Sequence, residues 1–187
     1  MPGGQRRSAR HTYPAAVLRS FAVAAVLSLT ACGSPATHNS ADVAFAQGMV
    51  PHHEQALEMS RLVASRTENP RVVDLAERIS RAQQPEIDRM NGFLKSWKAP
   101  VKASSHTSHG HSGAHGLVEL GNLAHLDGTE FDRQWLSLMI QHHRGAVEMA
   151  REHLSAGTDP ETRELAQEVV SSQEKEIAEM ESLLPQG

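Results

Sequence analysis

Apolar positions in this chain recur at helical spacing, and a few polar positions interrupt them. Phe45, Met49, His52, Ala56, Met59 and Val63 fall on one face of a helix. Leu75, Ile79, Gln83, Glu86, Ile87, Met90 and Leu94 share a stripe on a second. Between the two stands Thr67-Glu68-Asn69-Pro70, where Asn before Pro reads as an N-cap followed by the first helical residue. The same break returns at Gly157-Thr158-Asp159-Pro160, and Thr129-Glu130-Phe131-Asp132 predicts a helix start close to a capping box. No alternating strand pattern competes, and good helix formers are plentiful. The pattern predicts an all-α chain.

A repeat decides the architecture. Sliding residues 42–94 along by ninety lays them on 132–184 without a gap, and 17 of 53 positions are then identical. Met49-Val50-Pro51-His52-His53 falls on Met139-Ile140-Gln141-His142-His143, and Gln83, Glu86, Ile87, Met90 and Leu94 on Gln173, Glu176, Ile177, Met180 and Leu184. Unrelated helices would not keep His, Gln and Met in one register, so the chain contains a duplicated helical hairpin. Two such antiparallel hairpins bury their stripes by joining into a four-helix bundle. The repeats are expected over 42–97 and 129–185, separated by a His/Ser/Gly-rich linker at 98–128. Within it, Leu117 to Leu126 is apolar enough to form a short helix or to pack on the bundle. Pro51 and Pro85 stand inside helices of the first copy only, and each is expected to bend its helix.

The stripes carry unexpected chemistry. Gln83 and Glu86, like Gln173 and Glu176, sit on faces that should be apolar, and a buried carboxylate without a partner is costly. With a turn near residues 67–68, residues whose numbers sum to about 135 lie level, so His52 faces Gln83 and Met49 faces Glu86. Each hairpin thereby gathers Met, His, Gln and Glu in one layer, and the two layers could merge or stand apart. Histidine–glutamate pairs can satisfy one another without any metal. An adjacent His pair with a Met three residues before it, twice over, argues instead for metal ions as ligands. The candidate ligands are Met49, His52, His53 and Glu86 in the first copy and Met139, His142, His143 and Glu176 in the second. Gln83, Gln173, Met59, Met149, Met90 and Met180 are additional or supporting groups. Met59 and Met149 share the face but lie about 10 Å along the axis from His52 and His142. Imidazole with thioether favours copper, above all Cu(I); zinc comes second, and iron third because the Glu-x-x-His pair of a di-iron centre is missing.

His106, His109, His111 and His115 in the linker form a second, weaker candidate metal tract beside the alternative of a solvated spacer. The N-terminus changes the picture further. Arg6, Arg7, Arg10 and Arg19 precede or flank a short apolar run from Phe21 to Leu29, which ends in Leu29-Thr30-Ala31-Cys32. Residues 1–31 read as a signal peptide and residues 32–41 as a lipid-carrying Cys32 with its tether, which predicts an exported protein held at the outer face of the cell membrane or in the cell envelope. Cys32 is the only cysteine, so no intrachain disulfide is available. Removing residues 1–31 leaves 14 basic against 22 acidic residues, a balance that argues against nucleic acid and suits cation binding.

The string Met-Val-Pro-His-His-x-x-Ala-x-Glu-Met, with Gln-x-x-Glu-Ile-x-x-Met later in each copy, resembles the family called domain of unknown function 305. The resemblance covers 42–97 and 129–184. It implies a ferritin-like four-helix fold, a secreted or periplasmic location and, from some members, copper binding at Met49, His52, Met139 and His142. It supplies no catalytic reaction. The expected function is an exported, non-enzymatic lipoprotein that sequesters or hands on copper. The alternatives are an envelope module with structural His/Glu pairs and a ferritin-like metal-dependent oxidase.

Overall fold

A computed structural model describes residues 1, 3, 37–101 and 117–184. Cys32 and the linker histidines His106, His109, His111 and His115 lie outside them. Four helices follow in chain order: α1 (Ser40–Arg66), α2 (Pro70–Ser96), α3 (Gly128–Ala156) and α4 (Pro160–Leu183). α1 packs on α2, α3 on α4, and α1 on α3, giving the all-α, ferritin-like bundle of two hairpins. Among the described residues no helix is long and apolar enough to cross a membrane.

Local chemistry sets most of the boundaries. Asn69 and Asp159 cap α2 and α4 with side-chain oxygens, accepting from the backbone N–H of Arg71 and of Thr162, and Pro70 and Pro160 open the helices. α3 departs from expectation. It begins at Gly128 after Asp127, which makes no side-chain cap bond, and the Thr129–Asp132 box does not form. Thr129 lies inside the helix, and the Asp132 carboxylate accepts from Asn69 Nδ2 at 2.7 Å, in the turn of the other hairpin. The capping box instead belongs to α1, where Asn39 and Asp42 bond reciprocally. Asp42 also accepts from the Thr158 and Asp159 N–H groups and from the Thr162 hydroxyl, so each hairpin's first helix clasps the turn of the other. Pro51 and Pro85 lie inside α1 and α2 without ending either helix.

The segment after the linker packs on the bundle. Gln55 exchanges two hydrogen bonds of 2.9 Å with the backbone of Val118, and Leu123, in a short 3-10 turn at Leu123–His125, is fully buried.

The interior divides along the bundle axis. One apolar core gathers Met59, Leu75, Ile79, Phe131, Trp135, Met139 and Met180, and the other gathers Phe45, Met49, Met90, Leu94, Leu165 and Val169, with Met149 packed against it. His52, His53, His142, His143, Gln83 and Gln173 belong to neither core, yet none is more than 2% exposed. A buried polar layer thus separates two apolar cores.

Candidate metal centre

The layer forms where the helical stripes carry His and Gln in place of aliphatic residues. His52 and His142 meet across the junction of α1 and α3, with ring centroids 3.7 Å apart. The layers of the two hairpins therefore merge into one. Antiparallel packing of α1 on α3 accounts for it, since residues ninety apart then face each other near the midpoint of the pair.

Hydrogen bonds orient three of the four rings. His142 Nε2–H donates to the backbone carbonyl of His52 at 2.9 Å. His53 Nε2–H donates to Glu86 Oε2 at 2.6 Å, and His143 Nε2–H to Glu176 Oε2 at 2.9 Å. A carbonyl oxygen only accepts, so neutral His142 carries its proton on Nε2 and keeps a lone pair on Nδ1. The Nδ1 atoms of His53, His142 and His143 are buried without a hydrogen-bond partner, as are both amide atoms of Gln83 and the Oε1 of Gln173. Burial first, then the neighbouring His52, His143 and His53, hold His142 well below the ordinary imidazole range, against the opposing pull of the His52 carbonyl. It is therefore neutral at physiological pH and able to donate a lone pair.

Each glutamate meets the second histidine of its pair, roughly one helical turn from the level expected from the turn position. Side chains on a helix lean toward its N-terminus. In an antiparallel hairpin those leans are opposed, so residues slightly beyond the level position come into contact. Glu86 and Glu176 are 15% and 14% exposed, which makes them the members of the layer that reach solvent.

Methionines line both sides. Met49 and Met139, each fully buried, stand one turn from the first histidine of their pair. Met59 cannot reach the site of its own helix, yet it shares a buried core with Met139 and Met180 from the other hairpin. Met49, Met90 and Met149 have the equivalent arrangement in the second core. Each end of the layer therefore borders thioethers drawn from both copies. Among the described residues no three His, Cys, Asp or Glu side chains converge on a point where they could hold an ion. The thioethers bordering the layer are the soft donors available to complete a site here.

The sequence pattern did not reveal one further polar cluster. His153 stacks on Phe45 at 4.3 Å and lies 3.6 Å from Asp42 at the far end of α1. It replaces Val63 of the first copy, and that break in the repeat is the signal that could have found it.

A protein from Streptomyces coelicolor described as secreted shares this architecture: 36% identity, TM-score 0.69, covering 76% of this chain and 89% of that one. CopM in its Cu(II)-bound form is 33% identical with a TM-score of 0.68, covering 76% of this chain and 94% of CopM. CopM has also been solved with Cu(I), with silver and in the apo form. The mimiviral protein L153 of Acanthamoeba polyphaga mimivirus is 42% identical over 61 residues, and the match spans 40% of its length. Residues 42–184 match the family model described as domain of unknown function (DUF305), and the chain belongs to that family.

Proposed function

We propose that this protein binds copper in the cell envelope, to sequester it or hand it on, and that the central polar layer is the site. The observation carrying this reading is His142: a neutral, fully buried imidazole, tied down at Nε2, with an unpartnered lone pair on Nδ1. His53 and His143 are also fully buried, with Glu86 and Glu176 at their Nε2 atoms and no partner at Nδ1. A carboxylate on the far nitrogen is the usual support of a metal-bound histidine, because it fixes the ring and raises its basicity. We therefore assign Met49, His52, His53, Met139, His142 and His143 as the donor set. Glu86 and Glu176 orient the rings from the solvent side, and Gln83 and Gln173 line the interior. The copper-bound forms of CopM, similar over most of both chains, support copper, and its Cu(I) and silver forms support a soft cation. Zinc can use imidazole alone and stands second; iron has the weakest claim, because the layer offers few carboxylates. The reading is one of binding and not of catalysis.

Titration of the protein with Cu(I) and with Zn(II), alongside a His52→Ala/His142→Ala variant, tests the assignment. Loss of tight Cu(I) binding in the variant is expected. Unchanged stoichiometry and affinity would overturn the site.

We also infer export and anchoring through a lipid on Cys32. Similarity to a relative described as secreted supports the export, and the Ala31-Cys32 motif supports the anchor. Cells fed a labelled fatty acid should label the wild-type protein and not Cys32→Ser. Absence of label on the wild type would remove the lipid from the account.

A further inference from the structure

Close backbone packing joins α1 to α2, α3 to α4, and α1 to α3. α2 and α4 are joined differently, by two side-chain bridges. Arg78 Nη2 donates to Glu179 Oε1 at 2.5 Å, and Arg89 Nη1 to Glu168 Oε2 at 2.6 Å. The two bridges are related by the repeat, because Arg78 is equivalent to Glu168 and Arg89 to Glu179. Equivalent positions occupy equivalent places in the two hairpins, and Arg78 meets Glu179 as Arg89 meets Glu168. The first copy is thus basic at both positions and the second acidic at both. Were the copies alike here, four like charges would line this seam.

The bridges straddle the polar layer. Gln83 lies between Arg78 and Arg89 in sequence, about 8 Å along the axis from each. Around the circumference of α2 the order is Gln83, then Glu86 roughly 60° away, then the two arginines roughly 60° to 80° further in the same sense. Gln173, Glu176 and the two bridging glutamates repeat that order on α4. Glu86 and Glu176, partly exposed while the rest of the layer is sealed, therefore stand at the inner lip of the α2–α4 seam. The opposite seam, between α1 and α3, is closed by the stacked His52 and His142 rings and by Trp135 Nε1–H donating to the Met59 carbonyl at 3.1 Å.

We propose that the α2–α4 seam is the entrance by which a soft cation reaches the histidine layer, with Arg78–Glu179 and Arg89–Glu168 as the latches that hold it shut. This rests on the reading of the layer as a metal site. Both bridges are suited to the task, because their side chains are between 38% and 49% exposed. Solvent-screened pairs of this kind are weak and break readily, unlike the packed helix–helix contacts around them. A cation passing between them meets the Glu86 and Glu176 carboxylates first and the histidines behind them.

The full chain, loaded with Cu(I), is mixed in a stopped flow with a chromophoric Cu(I) chelator, and affinity is measured separately by competition. In an Arg78→Gln/Arg89→Gln variant the release rate should rise roughly twofold to thirtyfold, the range two exposed ion pairs can supply. Affinity should stay within about twofold, since uptake accelerates equally. Arg89→Glu alone should also speed release, and adding Glu168→Arg should restore the wild-type rate, which a folding defect would not do. Wild-type release rates in the unlatched variant, or no rescue by the charge exchange, would overturn the gate. Failure of the metal-site reading shows itself elsewhere, as a wild-type affinity that ignores His52→Ala/His142→Ala, and the gate would fall with it.

Discussion

His142 donates its Nε2 proton to the backbone carbonyl of His52, and the two rings lie with centroids 3.7 Å apart. The contact joins equivalent residues of the two repeats, so the duplication axis passes through the chemistry of the site. Neither hairpin alone can build this arrangement. A hydrogen bond to a helix carbonyl also leaves the lone pair of His142 on Nδ1, which is buried without a partner. Two consequences concern the groups on either side of this pair.

Thioether sulphur should decide which metal binds. Met49 and Met139 are fully buried, and Leu is close to Met in volume, so Met49→Leu/Met139→Leu should cost less than about 1.5 kcal/mol of stability per site. Cu(I) affinity should fall by at least tenfold, because a soft donor has been removed, while Zn(II) affinity should change little. Parallel competition titrations with the two ions check this. Equal losses for both would mean that the methionines act through packing alone.

The carboxylates should tune the rings they hold. Glu86→Gln and Glu176→Gln keep the shape of the side chain but replace a charged acceptor with a neutral one at His53 and His143. Support of this type is worth about 10- to 100-fold in metal affinity. The double variant should therefore bind Cu(I) more weakly with unchanged stoichiometry. If binding sites are lost outright, the glutamates are ligands themselves.

Much of this architecture is written in local sequence. The capping pairs Asn69-Pro70 and Asp159-Pro160 act within a few residues, and they start α2 and α4 as expected. Gln83 and Gln173 stand out because helical periodicity marks their positions as interior. What stayed hidden depends on distant partners. Asp132 pairs with Asn69 of the other hairpin instead of joining a box at the start of α3, and nothing near Asp132 in sequence announces this. The pairing of His53 with Glu86 was displaced by the lean of side chains along their helices. The meeting of His52 with His142 depends on how far one hairpin slides along the other, which the spacing within either copy leaves open.

A tight corner at the end of α3 yields a stability prediction. A Cβ on Gly157 would sit 2.1 Å from Cε1 and 2.5 Å from Nδ1 of His153, and 2.7 Å from the Asp42 carboxylate. His153 cannot easily yield, because it is 4% exposed and stacked on Phe45. Gly157→Ala should therefore destabilise the protein by about 1–3 kcal/mol in chemical denaturation. In a His153→Ala background the same substitution should cost clearly less. Equal costs in both backgrounds would show that the clash lies elsewhere.

The same corner should make stability depend on pH in two separate ranges. Burial lowers the affinity of His153 for a proton and outweighs the Asp42 carboxylate and the Ala41 backbone, which favour the charged ring. Native His153 thus binds a proton more weakly than the unfolded chain does. Above the ordinary histidine value of 6.5 neither state is protonated there, and the residue adds no pH dependence. As pH falls below that value the unfolded chain takes up the proton first, so stability declines until the lowered native value is passed. Asp42 acts further down. Burial alone would raise its carboxyl, but bonds from Asn39, Thr158, Asp159 and Thr162 hold it below its ordinary value of 3.8, so its contribution is complete above that value and is lost as pH falls through the native one. In the metal-free protein, His153→Gln should reduce the slope of unfolding free energy just below pH 6.5 by up to about 1.4 kcal/mol per pH unit, the value of one proton. Part of the slope should remain, because buried His142 has the same sign. Denaturation midpoints measured across that range for both proteins give the comparison. Identical slopes would mean that His153 is protonated to the same extent in the native and unfolded states.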